Sequence, residues 1–188
     1  MSKTWSNAGN YGSIHYTCSF CGNSIASNVG FQTQDGTSKI RICHYCDCPT
    51  FFPSPSQAIP GSPMGNPVKN INDANLAALY EEARRCATVN AYTAAVLACR
   101  KILMHIAVDK GDKPGKNFIQ YIEYLAANNY IPPDAKGWVN HIREKGNEAN
   151  HEIVLMAEKD AENLISFIEM LLKVIYEFPA KIPITKDS

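Results

Sequence analysis

The sequence lacks three features that would assign it to a common class of protein. No apolar run approaches the ~20 residues that a membrane-spanning helix needs, so we expect no membrane association. Residues 1–7 lack the apolar segment of a secretory signal peptide, so we expect a cytoplasmic protein. Neither charge is in excess, since 18 basic residues balance 18 acidic ones. Without a basic surplus, strong generic binding to a polyanion is not predicted.

The cysteines are distributed unevenly along the chain. The chain of 188 residues is 45% hydrophobic, which suits one or two globular domains, and most of its seven cysteines lie between residues 18 and 48. Disulfides are rare in the reducing cytoplasm. The clustering therefore indicates a metal site rather than a disulfide framework.

Two Cys-x-x-Cys pairs make up most of this cluster. Cys18 and Cys21 form the first pair, and Cys43 and Cys46 form the second. Four thiolates at this spacing are typical of a structural Zn²⁺ site, and they leave no open coordination position for catalysis. Gly22 follows the first pair, where a tight turn favours a residue that tolerates a positive φ.

Other residues near the pairs offer weaker alternatives. Cys48 and His44 lie close to the second pair, and the simpler interpretation is that neither binds the metal. A redox role for one pair alone explains the second pair less well. Segments 27–33 and 37–42 are predicted strands, and the Asp35-Gly36 signal between them predicts a hairpin, so this region resembles a zinc ribbon.

The remaining chain is predicted to be mostly helical beyond a stretch of six prolines within residues 49–70. Apolar periodicity predicts helices over about 73–89, 91–109, 117–128, from Asp134 onwards, and 157–178. The second helix is apolar almost all round, which suggests that it is central. The expected domains are a flexible start (1–13), a zinc ribbon (14–52), a proline-rich linker (53–70), a helical bundle (71–179) and a tail (180–188).

Several polar residues and cysteines of the helical region have simple expected roles. His105 lies in an apolar helix and is more simply a satisfied core histidine than a ligand. Cys86 and Cys99 are expected to be small core residues. Arg84 lies at the polar edge of its helix, where ordinary solvation is the expected role.

Arg143, Asn147 and His151 form the second candidate site. In a helix they would line one face, because each step of four residues exceeds a full turn by only roughly 40°. Such a face could be solvated or could cap a neighbouring element. Alternatively, a guanidinium, an amide and an imidazole together could hold a phosphate and move a proton.

The helical region resembles the bacterial domain-of-unknown-function family 4145. The resemblance is carried by residues 80–85, 91–101 and 142–152, and it extends over about residues 14–178 because members share the paired cysteines and the proline-rich strap. That family is similar to the HEPN superfamily. The implied fold is mainly α, a HEPN-like bundle of about five helices with a small N-terminal β zinc ribbon.

The same resemblance suggests what the helical region does. HEPN proteins often dimerise, and many are metal-independent ribonucleases of toxin, phage-defence and CRISPR systems. Their active pattern is an arginine, a polar residue and then a histidine. Asn147 and His151 match the last two positions, whereas Gly146 occupies the arginine slot. Seven residues separate Arg143 from His151, which is a wider gap than the family pattern usually has.

Two functions therefore stay open, and the sequence does not decide whether the protein is an enzyme. The first is a non-catalytic interaction module associated with nucleic-acid processing or phage defence, in restriction-type or toxin-like systems. The alternative is a metal-independent HEPN-type endoribonuclease, in which His151 moves a proton, Arg143 stabilises phosphate charge and Asn147 orients one of them. The expected partners are a second copy of the chain, RNA or DNA, and a protein of a defence system.

Overall fold

The computed structural model describes residues 4–132, residue 137 and residues 155–182. The chain divides into two compact units, Met1–Pro63 and Met64–Ser188, which we call the β unit and the helical unit. No helix in the described ranges combines the length and the apolar character needed to cross a membrane.

The β unit contains one antiparallel sheet of five strands, in which each strand pairs with its neighbours in the sequence. The predicted strands 27–33 and 37–42 correspond to the second and third of them. The strands are β1 (Gly9–Thr17), β2 (Ser24–Gln32), β3 (Lys39–Ile42), β4 (Pro49–Ser54) and β5 (Gln57–Ile59).

The turn between β2 and β3 is the predicted Asp-Gly hairpin. The Asp35 carboxylate accepts hydrogen bonds from the Thr33 hydroxyl, at 2.6 Å, and from the Thr37 backbone N–H, at 3.1 Å. Gly36 has a φ of +69°, which glycine adopts without steric cost. The local sequence therefore determines this connection, and the hairpin prediction is confirmed.

The sheet extends beyond the strands that periodicity predicts. The prediction placed residues 9–13 in a flexible start, whereas β1 begins at Gly9. The prolines of β4 prevented its prediction as a strand, but they occupy positions that a sheet tolerates. Pro49 is the first residue of β4, and Pro53 lies just past Phe52, the last residue of β4 that pairs with β3.

The hydrophobic core of the β unit is small. Tyr16 and Phe52 pack edge to face, with their ring centroids 5.1 Å apart. Beside them lie Ile25 and the two fully buried thiols of Cys18 and Cys43. Because a core of this size buries little apolar surface, the unit needs a further source of stability.

Arg41 joins three strands from within the β unit. It is only 1% exposed, and its guanidinium donates hydrogen bonds to the carbonyl oxygens of Gly12, Phe31 and Ile40 at 3.0–3.2 Å. Its guanidinium carbon also lies 5.2 Å from the centre of the Tyr11 ring. Backbone carbonyls therefore satisfy most of this buried cation, although burial lowers the pKa of Arg41.

Four α-helices occur in the described part of the helical unit. The second of them contacts the other three, which confirms the prediction that it is central. After the last α-helix the chain continues through a π-helical turn, Lys173–Glu177, and a 3₁₀ turn, Pro179–Lys181. The helices are α1 (Ala74–Thr88), α2 (Tyr92–Asp109), α3 (Phe118–Ala127) and α4 (Glu158–Leu172).

Side-chain caps define where two of these helices begin. Asp73 accepts hydrogen bonds from the backbone N–H groups of Asn75 and Leu76, at 2.8 and 3.1 Å. Asn117 and Gln120 form a reciprocal capping box at the start of α3. Both caps satisfy donors that the first helical turn leaves free.

His105 does not lie in the core. Its side chain is 44% exposed, and its Nε2 lies 3.0 Å from a carboxylate oxygen of Asp73. The prediction of a core histidine is therefore wrong, because the residue lies on the outer edge of α2 and contacts the cap of α1. Cys99 is fully buried and Cys86 packs half-buried against the core, as predicted.

Residues 64–69 form a strap that side chains hold against the helices. Arg84 is 5% exposed rather than solvated as expected, because its guanidinium donates to the carbonyl oxygens of Met64 and Gly65, each at 2.9 Å. The same guanidinium pairs with Glu81 at 2.6 Å. The start of the strap is therefore fixed to α1 through a buried cation.

Glu169 of α4 holds the same strap from the other side. Its carboxylate accepts the backbone N–H of Asn66 at 2.7 Å and the Asn66 side-chain amide at 3.0 Å, and it also pairs with Lys173. The Tyr80 hydroxyl donates to the Asn66 carbonyl at 2.8 Å. The backbone polar groups of a segment without regular structure are thus satisfied by side chains.

The expected mainly α fold, a HEPN-like bundle of about five helices with a small β ribbon, is wrong. A five-stranded antiparallel sheet comes first and is followed by helices, of which the described residues contain four. Only two strands were predicted: β4 contains prolines, β5 has three residues, and the sequence of β1, GNYGSIHYT, begins with polar residues and glycines that were placed in a flexible start. The helix predicted from Asp134 falls outside the described residues.

We expect the substitution Glu169→Ala to destabilise the helical unit by about 1–3 kcal/mol, because the strap N–H groups lose their acceptor. Urea unfolding of the two proteins measures the difference. Glu162→Ala is the matched control, because Glu162 is 49% exposed and, among the described residues, pairs with Lys159 of its own helix, so its loss should change stability by about 0.5 kcal/mol or less.

The effect of Glu169 should also depend on pH. Burial raises the pKa of Glu169, but Lys173 and Asn66 outweigh it and the pKa is lowered. A lowered pKa in the folded state means that the stabilisation is present above the unfolded-state value of about 4.3 and is lost as pH falls through the folded-state value. Equal stability of wild type and Glu169→Ala at neutral pH would contradict this role.

Candidate metal centre

Two turns of the β unit carry the four predicted metal ligands. Cys18 and Cys21 lie in the turn between β1 and β2, and Cys43 and Cys46 lie in the turn between β3 and β4. We call these turns the first and the second knuckle. Because β2 and β3 are neighbours in the sheet, the two knuckles come together at one end of it.

The two knuckles have the same backbone hydrogen bonds. In the first, the Cys18 carbonyl accepts the N–H of Gly22 at 2.8 Å, and the Cys18 N–H donates to the Asn23 carbonyl at 2.9 Å. In the second, the Cys43 carbonyl accepts the N–H of Asp47 at 2.8 Å, and the Cys43 N–H donates to the Cys48 carbonyl at 3.0 Å. The Cys-x-x-Cys spacing therefore produces one local structure twice.

A left-handed residue closes each knuckle. Gly22 has a φ of +74° and Asp47, at the equivalent position, has a φ of +56°. This conformation turns the chain sharply after the second cysteine of each pair. The prediction that Gly22 serves such a turn is confirmed.

The four sulfur atoms converge on one point. The Sγ atoms of Cys18 and Cys46 are 3.7 Å apart, those of Cys21 and Cys43 are 3.6 Å apart, and all four lie within 4.8 Å of one another. Four ligands placed 2.3 Å from a central ion at the corners of a tetrahedron are about 3.8 Å apart. The site therefore fits one metal ion bound by four thiolates.

Alternative chemistry for these thiols fits the distances less well. A disulfide requires sulfur atoms about 2.05 Å apart, and the described cysteines are all free. A redox role for one pair does not explain why the other pair converges on the same point. The arrangement is thus that of a shared ion rather than of an isolated dithiol.

The surroundings of the thiols set how readily each one ionises. Burial raises the pKa of Cys18 and of Cys46. Burial also tends to raise the pKa of Cys21. The backbone and side-chain N–H groups of Asn23 donate to its sulfur, however, and the pKa is lowered to about 7. Four adjacent thiolates repel one another, so a bound cation is what permits all of them to be ionised together.

Cys48 is not part of the ligand set. It occupies the position in the second knuckle that Asn23 occupies in the first, where the backbone carbonyl accepts the N–H of the first cysteine. His44 instead stacks on the neighbouring Tyr45, with ring centroids 4.6 Å apart. Among the described residues the group that could hold a metal contains only the four predicted cysteines, so both nearby residues are non-ligands.

The sequence also contained a signal that the prediction did not use. The third residue of each Cys-x-x-Cys motif is aromatic, namely Phe20 in the first knuckle and Tyr45 in the second. Both side chains are exposed, by 45% and 66%. Two exposed aromatic rings therefore occupy equivalent positions beside the metal site.

The second candidate site cannot be placed in the same way. Arg143, Asn147 and His151 fall outside the described residues. Their predicted arrangement on one helical face stays a prediction, and so does their role in catalysis.

Comparison with known proteins identifies a family but no activity. The family model described as Domain of unknown function (DUF4145) matches residues 81–187, more than half of the chain. The match begins within α1 and includes none of the four metal-site cysteines. No curated protein and no solved structure matches the chain. The description names neither a fold nor an activity, so the resemblance to HEPN proteins gains no support from it.

We expect carefully purified protein to contain about one metal ion per chain, measured by elemental analysis. Cys46→Ser should abolish binding, because it removes one of the four converging ligands. Cys48→Ser is the matched control and should retain the metal, because the Cys48 thiol is not one of the four converging ligands. Metal loss in Cys48→Ser would show that the ligand set is wrong. Acidification should release the ion, because protons compete for the thiolates.

Proposed function

The chain belongs to domain-of-unknown-function family 4145, and we propose that it serves as a non-catalytic interaction module in nucleic-acid processing or phage defence. The biological setting is taken from the sequence resemblance. The interaction role is supported by the β unit, and the observation that carries it is a closed four-thiolate site flanked by exposed aromatic rings.

We assign the metal as Zn²⁺ in a structural role. Four thiolates in a tetrahedron are a typical structural zinc site, and they leave no position for a water molecule or a substrate. Only a few buried side chains support the β unit, and two of them are ligands. The free energy of metal binding is therefore available to stabilise the fold of this unit.

The charge of the β unit favours a protein partner over a nucleic acid. The sequence of residues 1–63 contains three basic residues, Lys3, Lys39 and Arg41, and two acidic residues, Asp35 and Asp47. A divalent ion with four thiolates adds a net charge of about −2. Nucleic-acid binding depends on neutralising phosphates with several basic side chains, and the charge of the metal centre outweighs the surplus of one basic side chain in this unit.

Exposed aromatic residues supply the kind of surface that a protein partner would cover. Phe20 and Tyr45 project from the two knuckles, and aromatic residues are enriched in protein interfaces. The metal fixes the backbone beneath both rings, so little conformational entropy is lost when they are buried. The two rings are therefore suited to act as anchors.

Capture experiments from the native host test this role. We expect the metal-loaded chain to retain a protein partner from lysate treated with nuclease, and the double variant Phe20→Ser, Tyr45→Ser to lose it. Phe51→Ser is the matched control, because Phe51 is also exposed, by 40%, but lies on β4 away from the knuckles. Capture that disappears after nuclease treatment would contradict a direct protein contact.

We also propose that the chain forms a homodimer through the helical unit. Several apolar side chains of this unit are exposed, among them Leu97 on α2 and Phe178 after α4, and such residues can be buried against a second copy. Light scattering should then give twice the chain mass of 20.8 kDa at micromolar concentration. A mass equal to that of one chain would reject the dimer.

The ribonuclease alternative leads to a different experimental result. If the chain is non-catalytic, zinc-loaded protein should not cleave single-stranded RNA in buffer without added divalent ions, and His151→Ala should behave like the wild type. Cleavage that His151→Ala removes would instead establish the enzyme. Melting temperatures of both proteins, measured in parallel, separate a lost activity from a lost fold.

A further inference from the structure

A pocket of about 270 Å³ opens between strands β1, β3 and β4 of the β unit. Ile14 and Phe52 contribute apolar surface to its wall, and Ser13, Lys39 and Ser54 contribute polar groups. Pockets for drug-sized ligands usually measure ~300–1,000 Å³. This smaller pocket therefore suits a single side chain or a group of similar size.

The apolar part of the pocket continues the core of the β unit. Phe52 packs on Tyr16 within that core, and Ile14 packs against the same cluster. Because packing holds these side chains in place, the apolar wall keeps its shape when the pocket is empty. A group that enters can therefore cover apolar surface without first ordering the wall.

Lys39 supplies the positive charge of the pocket. It is the first residue of β3, and it pairs with Gln32 of β2 on one side and with Phe52 of β4 on the other. Residues directly opposite each other in a ladder project from the same face of the sheet, so the Lys39 side chain leaves the sheet beside Phe52. The residue is half-buried, and within the described ranges its ammonium pairs with no carboxylate. This cation is therefore available to an anion from outside the chain.

The acidic groups of the β unit do not occupy this position. Among the described residues that line the pocket there is no Asp or Glu. The Asp35 carboxylate, in the preceding turn, accepts hydrogen bonds from Thr33 and Thr37 instead.

The negative metal centre lies at the opposite end of β3. Cys43 follows Lys39 by four residues, which corresponds to roughly 13 Å along a strand. Exposed charges separated by more than ~8–10 Å are largely screened at physiological ionic strength. The pocket therefore attracts an anion even though the metal centre does not.

We propose that this pocket binds a glutamate side chain of the partner protein. The two methylene groups of glutamate match the wall formed by Ile14 and Phe52, and its carboxylate matches the ammonium of Lys39. A phosphate group would also pair with the ammonium, but it has no apolar part to cover the wall. This inference rests on the proposed role as a protein-interaction module, and it adds the chemical nature of the group that the partner presents.

The test uses the zinc-loaded, ¹⁵N-labelled full chain and three short peptides. The first is acetyl-Gly-Glu-Gly-amide, and the others carry glutamine or phosphoserine in place of glutamate. Glutamine has nearly the shape of glutamate but no charge. The readout is the NMR signal of the Ser54 backbone amide. We expect a saturable shift with the glutamate peptide, at least tenfold weaker binding of the glutamine peptide, and weaker binding of the phosphoserine peptide than of the glutamate peptide.

Variants of the pocket sharpen the test. Lys39→Gln removes the charge from a side chain that has no ion pair, so metal content and melting temperature should be unchanged while glutamate binding weakens about tenfold. Lys39→Arg keeps the charge and should retain most of the binding. Lys159→Gln is the matched control, because it removes one positive charge from a side chain of the helical unit that is 73% exposed, and it should bind like the wild type.

Three results would overturn the proposal. They are the absence of a saturable shift, equal or tighter binding of either the glutamine or the phosphoserine peptide, and unchanged glutamate binding in Lys39→Gln. Tighter binding of phosphoserine would show that the ammonium selects phosphate and that the apolar wall has no part in recognition.

The outcomes also separate this inference from the proposed function. Nuclease-resistant capture of a partner without a response to the glutamate peptide would reject the pocket assignment and leave the interaction module intact. A specific glutamate response without any captured protein would support the pocket and count against the module.

Discussion

The convergence of four thiols on one point, where one metal ion fits, is the feature on which the β unit depends. Two of the five residues in its core are cysteines of the metal site, and they connect the β1–β2 and β3–β4 turns at one end of the sheet. A sheet of this size cannot bury enough apolar surface to compensate for the entropy lost on folding. A metal ion bound at this point would replace the hydrophobic contacts that a larger domain has, and it would couple the geometry of the knuckles to the stability of the sheet.

Buried charges with backbone partners have a comparable role elsewhere in the chain. Arg41 satisfies carbonyl groups of three strands, and Arg84 does the same for the strap that precedes α1. Both guanidinium groups donate to main-chain carbonyl oxygens of segments that lie apart in the sequence. Such contacts fix irregular backbone in one conformation, because breaking them would leave buried polar groups without partners.

The features that could be predicted are those encoded by adjacent residues. The Cys-x-x-Cys pairs, the Asp-Gly turn and the caps at Asp73 and Asn117 each depend on a few neighbouring side chains, and the structure contains all of them. Strands that contain proline, and the burial of Arg84, depend on partners distant in the sequence. Periodicity carries no information about those partners, so β4 was assigned to no element and Arg84 to solvent.

The two knuckles show how structure and function can be separated within one motif. Their backbone hydrogen bonds are the same, so these bonds are what the turn requires. Cys48 corresponds to Asn23, which explains why an additional cysteine beside the site is not a ligand. The aromatic residue before the second cysteine is shared, yet its exposure shows that the fold does not use it. Asp47 and Gly22 share a left-handed conformation, which glycine adopts freely and aspartate more readily than most other residues, so the turn accepts either residue.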